Sequence, residues 1–173
     1  MMRDTNANIY LIGMMGSGKS TVGRLLSDKL NREFIDTDNK IEGFMDYTIS
    51  EIFESMGEQR FREMEESYFL EKSQQTGLII STGGGIVISP KNRAVLTNST
   101  YSFYLKARPE FLITRLKKRF KRPLLSGNQP LIQKLEAIYK SRVDFYEQCA
   151  SHIIDIEPLS KIDKLNKILE CLN

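Results

Sequence analysis

The chain has 173 residues, 40% of them hydrophobic, which suits one compact domain over 1–173 with a full core and excludes a stapled mini-fold. Its formal net charge of +3 favours small anionic substrates and falls short of a nucleic-acid footprint. Two cysteines without CxxC spacing, Cys149 and Cys171, and a single histidine, His152, exclude a sequence-evident zinc cluster.

Those thiols read as reduced, as in a cytoplasmic protein. The first apolar run is interrupted at Gly13, so no secretory leader is expected. No run approaches the roughly 20 apolar residues of a membrane span.

Short apolar runs alternate with helical periodicities along the chain, the pattern of βαβ units and a mostly parallel sheet. The first predicted strand, 9–12, enters GMMGSGKS at 13–20. A helix then opens near Lys19 with Val22, Leu25, Leu26 and Leu30 on one stripe. This is G-x-x-x-x-G-K-[ST] between a strand and a helix, the setting in which the motif is credible. Its glycines let successive N–H groups converge on phosphate oxygens at a helix N-terminus. The motif therefore assigns Gly16, Ser17, Gly18, Lys19, Ser20 and Thr21 to a nucleoside triphosphate. Lys19 reaches the β- and γ-phosphates, and the Ser20 hydroxyl can ligate Mg²⁺.

A second predicted strand, 33–36, runs into the carboxylates Asp36 and Asp38. Residues two apart on an extended chain face one side, so both can enter the crevice beyond the strand, one serving metal and one a substrate hydroxyl. Asp38 as a helix cap is the structural alternative. Thr48 and Glu51 have capping-box spacing, and Gly57 offers a stop, which predicts a short helix between them. In GEQRFREMEE, Arg62 and Glu65 are three apart and can pair across one helical turn, although a surface ion pair is the commoner account of such spacing. The strand 78–82 ends in STGGG, whose glycines at 83–85 permit close approach of a ligand to backbone or simply a turn.

A strand follows at 101–105, and Pro109 suits a first helical position. RLKKRFKR at 115–122 holds six basic residues in eight, a charge block that reads as a solvated face, an ATP-steering lid or a nucleic-acid patch. The stretch 122–130 is irregular and reads as a loop. A helix over 133–148, a strand over 152–156 starting at His152, and an amphipathic helix carrying Ile162, Leu165, Ile168, Leu169 and Leu172 complete the chain. Phe145 and Tyr146 read as packing residues.

In their order and spacing, GMMGSGKS, DTD at 36–38, GEQRFRxxE at 57–65, GGG at 83–85, RPLL at 122–125 and Arg142 followed by Tyr146 resemble the shikimate kinase family over nearly the whole chain. That resemblance implies a P-loop NTPase fold of class α/β, a three-layer αβα architecture with a five-stranded parallel sheet akin to nucleoside monophosphate kinases. It implies a substrate-binding helical segment near 38–66 and a lid near 118–130. By similarity, Lys19 and Ser20 serve phosphate and Mg²⁺, and Asp36 holds the metal through water. Asp38 contacts substrate hydroxyls and accepts the proton. Arg62 and Arg142 clamp the shikimate carboxylate, Glu65 orients Arg62, and the backbone of Gly83, Gly84 and Gly85 lies against the substrate ring. Arg115 stacks on adenine, and Arg122 is the lid arginine over the γ-phosphate. Lys19, Asp38 and Arg122 are thus the expected catalytic residues, with ATP as cosubstrate and Mg²⁺ as cofactor. A monomeric cytoplasmic enzyme without nucleic-acid or membrane partners is expected.

Other readings make distinct demands. A GTPase wants a late Asn-Lys-x-Asp, whereas Asn39-Lys40-Ile41-Glu42 has the wrong acid in the wrong place. Gluconate and nucleotide kinases share the architecture, but paired arginines with DTD favour a carboxylate bearing neighbouring hydroxyls. An RNA-binding module wants aromatics interleaved with the charge, and the basic run offers only Phe120. A silent nucleotide sensor would have lost reactive positions that are present here.

Overall fold

The computed structural model describes residues 6–116 and 130–172. Arg122, Gly127 and the basic positions 117–121 lie outside the described residues. Strands β1 (Ile9–Ile12), β2 (Phe34–Asp36), β3 (Ile79–Ser81), β4 (Ser102–Lys106) and β5 (His152–Asp155) form one parallel sheet in the order β2-β3-β1-β4-β5. Ile9 pairs with Ile79 and Tyr10 with Ser102, so β1 lies at the centre and is buried along its whole length. That accounts for its continuous apolar run, since a parallel strand covered on both faces has no polar side. The predicted strands match within a residue or two at each end.

Helices α1 (Lys19–Leu30) and α7 (Lys161–Leu172) pack together on one side, while α3 (Ile49–Ser73), α4 (Pro90–Thr97), α6 (Leu131–Cys149) and α5 (Pro109–Leu116) pack in succession. The result is the expected three-layer αβα arrangement. Val22 and Leu26 of α1 are buried against the sheet, with Leu25 and Leu30 at its margin. A short helix, α2 (Thr37–Met45), pairs with α3 around a separate apolar cluster of Ile41, Ile52 and Phe61.

Several local expectations are revised. One is met: the capping box at Thr48 and Glu51 is formed and Gly57, at φ 83 and ψ 160, breaks the helix, so α3 consists of a short segment before the break and a second one after it. Strong helix formers follow the break, and Phe61, Glu65, Tyr68 and Phe69 bury one face of the second segment, which runs to Ser73. Asp38 is not on an extended chain. Asp36 ends β2 and caps α2, accepting from the Asn39 N–H at 3.2 Å, so the capping role falls on Asp36 rather than Asp38. The buried face of α7 is turned so that Lys164 is 1% exposed, whereas Ile162, expected on the apolar stripe, is 48% exposed. Burial lowers the Lys164 ammonium to about 8, with the positive Arg115 adding to the drop. Among the described residues no helix is long and apolar enough to cross a membrane.

Candidate active site

A cavity of about 550 Å³ opens beyond the carboxyl ends of the strands, where parallel sheets place their ligands. Its floor is the loop between β1 and α1. Gly18 caps α1 at φ 93, a left-handed conformation that suits glycine, and no side chain closes the helix end. The first amides of α1 therefore have no side-chain cap at the cavity, an anion site by geometry and by helix dipole. Gly16, Gly18, Lys19, Ser20 and Thr21 line the cavity as expected. Ser17 does not: it is fully buried, its amide donates to the Met14 carbonyl at 3.3 Å, and its hydroxyl has no partner.

The Lys19 ammonium is drawn into the loop, donating to the carbonyls of Gly13 at 2.8 Å and Met14 at 3.0 Å. The Ser20 hydroxyl donates to Asp36 Oδ2 at 2.5 Å, with Ser81 Oγ 3.5 Å away. Asp38, two residues past Asp36 in the first turn of α2, lines the same cavity. The two aspartates therefore converge as anticipated, although a strand-to-helix turn brings them there rather than strand alternation.

Across the cavity, the backbone after β3 forms a second wall. Thr82 is tied to β1 through its N–H and hydroxyl, both donating to the Leu11 carbonyl. The Gly83 N–H donates to Thr37 Oγ1 at 3.1 Å, and Gly84 lines the cavity. The guanidinium of Arg62 occupies the space a Cβ on Gly85 would need. Arg62 donates to Glu65 Oε2 at 2.7 Å and to Glu58 Oε1 at 3.0 and 3.2 Å, and lies 5.1 Å from the Phe61 ring. These carboxylates raise the Arg62 pKa against the opposing effect of its burial. Arg142, 7% exposed, donates to the Gly84 carbonyl at 3.1 Å. Both arginines thus reach the 83–85 backbone from different helices.

Glu65 is 2% exposed, and its second oxygen has no hydrogen-bond partner. Burial pushes its carboxyl up to about 6; Arg62 and Arg142 oppose the rise, and the charge of Asp38 adds to it. At the far end of the cavity, Arg115 reaches the Gly16 carbonyl at 3.5 Å and lies 5.4 Å from the Phe111 ring.

Sequence reasoning missed Arg24, Asn39 and Thr114, which also line the cavity. Arg24 is one helical turn past Ser20, so α1 periodicity alone could have placed it on the motif's face. Glu58 is the second partner of Arg62, four residues away, and that spacing was readable too.

The family model for shikimate kinase matches residues 15–173. A shikimate kinase of Burkholderia lata is 38% identical over 96% of this chain and 90% of its own length. The structure of a shikimate kinase from Acinetobacter baumannii in complex with shikimate superposes with a TM-score of 0.91 at 37% identity, covering 96% of this chain and 92% of that one. A gluconokinase from Sinorhizobium meliloti shares the fold, with a TM-score of 0.59 at 15% identity over 98% of this chain and 93% of its own.

Proposed function

The chain belongs to the shikimate kinase family of ATP-dependent phosphotransferases, and on that premise we propose that it moves the γ-phosphate of ATP to the 3-hydroxyl of shikimate, a step toward chorismate and the aromatic amino acids. The observation that carries this reading is the meeting of Arg62 and Arg142 at the 83–85 backbone, beside Asp38 and across from the Lys19 loop. Two guanidinium forks beside a carboxylate base suit an acceptor that presents a carboxylate near its reacting hydroxyl.

The glycine loop, the open end of α1 and Lys19 hold the phosphates. Ser20 and Asp36 offer only oxygen ligands, the donor chemistry a hard cation such as Mg²⁺ takes, with Asp36 acting through water. When bound there, Mg²⁺ supplies charge neutralisation on the phosphates. Asp38 receives the acceptor proton, Arg62 and Arg142 hold the carboxylate, and Glu58 with Glu65 fix the Arg62 fork. Gly83, Gly84 and Gly85 present backbone to the ring. Arg115 packs on the nucleotide base, and Arg122 supplies positive charge to the γ-phosphate. Phosphoryl transfer asks mainly for such positioning and charge. We assign the protein to the cytoplasm, as a monomer acting on small molecules.

The test is a coupled assay of ADP release that compares shikimate, gluconate and nucleoside monophosphates at equal concentration. Turnover confined to shikimate is expected, with Asp38→Asn lowering it by about 10²-fold or more. Preferred turnover of gluconate or of a nucleotide overturns the acceptor assignment, and an undiminished Asp38→Asn rate removes that residue from the chemistry.

A further inference from the structure

Arg142 and Tyr146 are four residues apart on α6, so both side chains project from one face of the helix. Both are buried, and both donate to a single acceptor, the carbonyl of Gly84. A carbonyl oxygen has two lone pairs, and this pair of donors fills them. Phosphate chemistry, metal binding and proton transfer make no use of Tyr146.

Its ring is tightly held. It stacks on Tyr104 with centroids 5.0 Å apart and planes 22° apart, and the hydroxyl lies 3.9 Å from Met14 Sδ in the nucleotide loop. The Tyr104 ring in turn abuts Gly13, where an added Cβ would come within 3.3 Å of it. The hydroxyl is thus aimed by contacts on β4 and on the nucleotide loop rather than by α6 alone. Burial pushes its pKa up to about 12, so it stays a proton donor throughout the working range.

We propose that Tyr146 is a positioning residue for the acceptor's carboxylate: by holding the Gly84 carbonyl, it sets the direction in which the Arg142 fork faces. The inference rests on the acceptor assignment above and adds to it a residue that touches neither substrate. Without the hydroxyl, the Gly84 carbonyl keeps Arg142 as its one remaining donor among the described residues, and the guanidinium is drawn onto the carbonyl and away from an incoming carboxylate. A charged donor forms the stronger bond with a carbonyl that has lost its other partner.

Tyr146→Phe keeps the ring and its stacking and removes only the hydroxyl. In the purified enzyme the variant is expected to raise KM for shikimate roughly tenfold, the scale of one hydrogen bond to a charged group. KM for ATP, kcat and Tm are expected to stay near their wild-type values. With the methyl ester of shikimate, which lacks the charge that Arg142 grips, the two enzymes should perform alike. In an Arg142→Ala background the tyrosine change should add nothing. Tyr146→Met, which fills the space without a hydroxyl, gives the same readout if the phenylalanine variant does not fold. The inference is overturned by an unchanged KM for shikimate, by parallel rises in both KM values with a lowered Tm, or by an equal penalty on the ester. Failure of the wild-type enzyme to phosphorylate shikimate would instead strike at the acceptor assignment itself.

Discussion

Glu65 and Asp38 direct one carboxylate oxygen each at the same place: both oxygens lie within 2.5 Å of where a Cβ would sit on Gly83, and so within about 5 Å of each other. Burial raises the Glu65 carboxyl, and the nearby charge of Asp38 adds to the rise. Arg62 and Arg142 favour its charged form, Tyr146 lies nearby, and burial outweighs the arginines.

The first prediction concerns pH. A carboxyl near 6 in the folded chain against 4.5 in the unfolded one contributes stability that is complete below 4.5 and lost as pH rises through 6. The loss is about 2 kcal/mol. Glu65→Gln, which cannot ionise, should lack this segment, so the stability of the variant relative to wild type should grow by that amount between pH 4.5 and 7. Denaturant titrations at several pH values measure it, and a difference that stays flat contradicts the assigned protonation.

Gly83 and Gly85 give a second test. Neither has the left-handed φ that excludes alanine, so the effect of a methyl group there is purely steric. Gly85→Ala must displace the Arg62 guanidinium, which Glu58 and Glu65 tether. We expect KM for shikimate to rise about tenfold or more as the charged contact is lost, with little change for ATP. Equal KM values for variant and wild type would mean that Arg62 does not need its present place.

Gly23 tests the fold rather than the site. A Cβ there would overlap the Phe34 ring, with Cδ2 at 3.0 Å, and would lie 3.2 Å from a methyl group of Leu11. Gly23→Ala should destabilise the chain by about 1–3 kcal/mol, the range for overpacking a tight contact. Thermal unfolding reads this directly, and an unchanged Tm would show that Phe34 can turn aside freely.

On the nucleotide side, Lys19→Met removes the ammonium that the loop carbonyls cradle. Turnover should fall by about 10²–10³-fold, the usual effect of deleting one preorganised charge donor. Ser20→Ala should instead raise the Mg²⁺ concentration needed for half-maximal rate, because one oxygen of the donor pair is gone. Titration of Mg²⁺ separates the two effects, and an unaltered Mg²⁺ dependence would take Ser20 out of the metal site.

Much of this was readable from the amino acids because the signals were local. The glycine loop states its own geometry, and the strand runs are apolar throughout because both faces of the sheet are covered. The capping box at Thr48 and Glu51 needs only four residues to identify it. What escaped was set by packing between distant elements. Whether Asp36 or Asp38 caps a helix depends on where β2 ends, and that in turn depends on its pairing with β3. The exchange of Ile162 for Lys164 on the buried face of α7 reflects how α7 meets α1 and β5. The shared acceptor of Arg142 and Tyr146 lies some sixty residues away in sequence, and no spacing rule connects them.

The small cluster of Ile41, Ile52 and Phe61 is separate from the main core, and the Gly57 break falls within the helix that joins the two. That cluster anchors α2, whose capping Asp36 meets Ser20, and it flanks Arg62 on α3, so one small patch of apolar packing underlies both a metal ligand and an acceptor arginine. Disturbing it reaches both substrates at once.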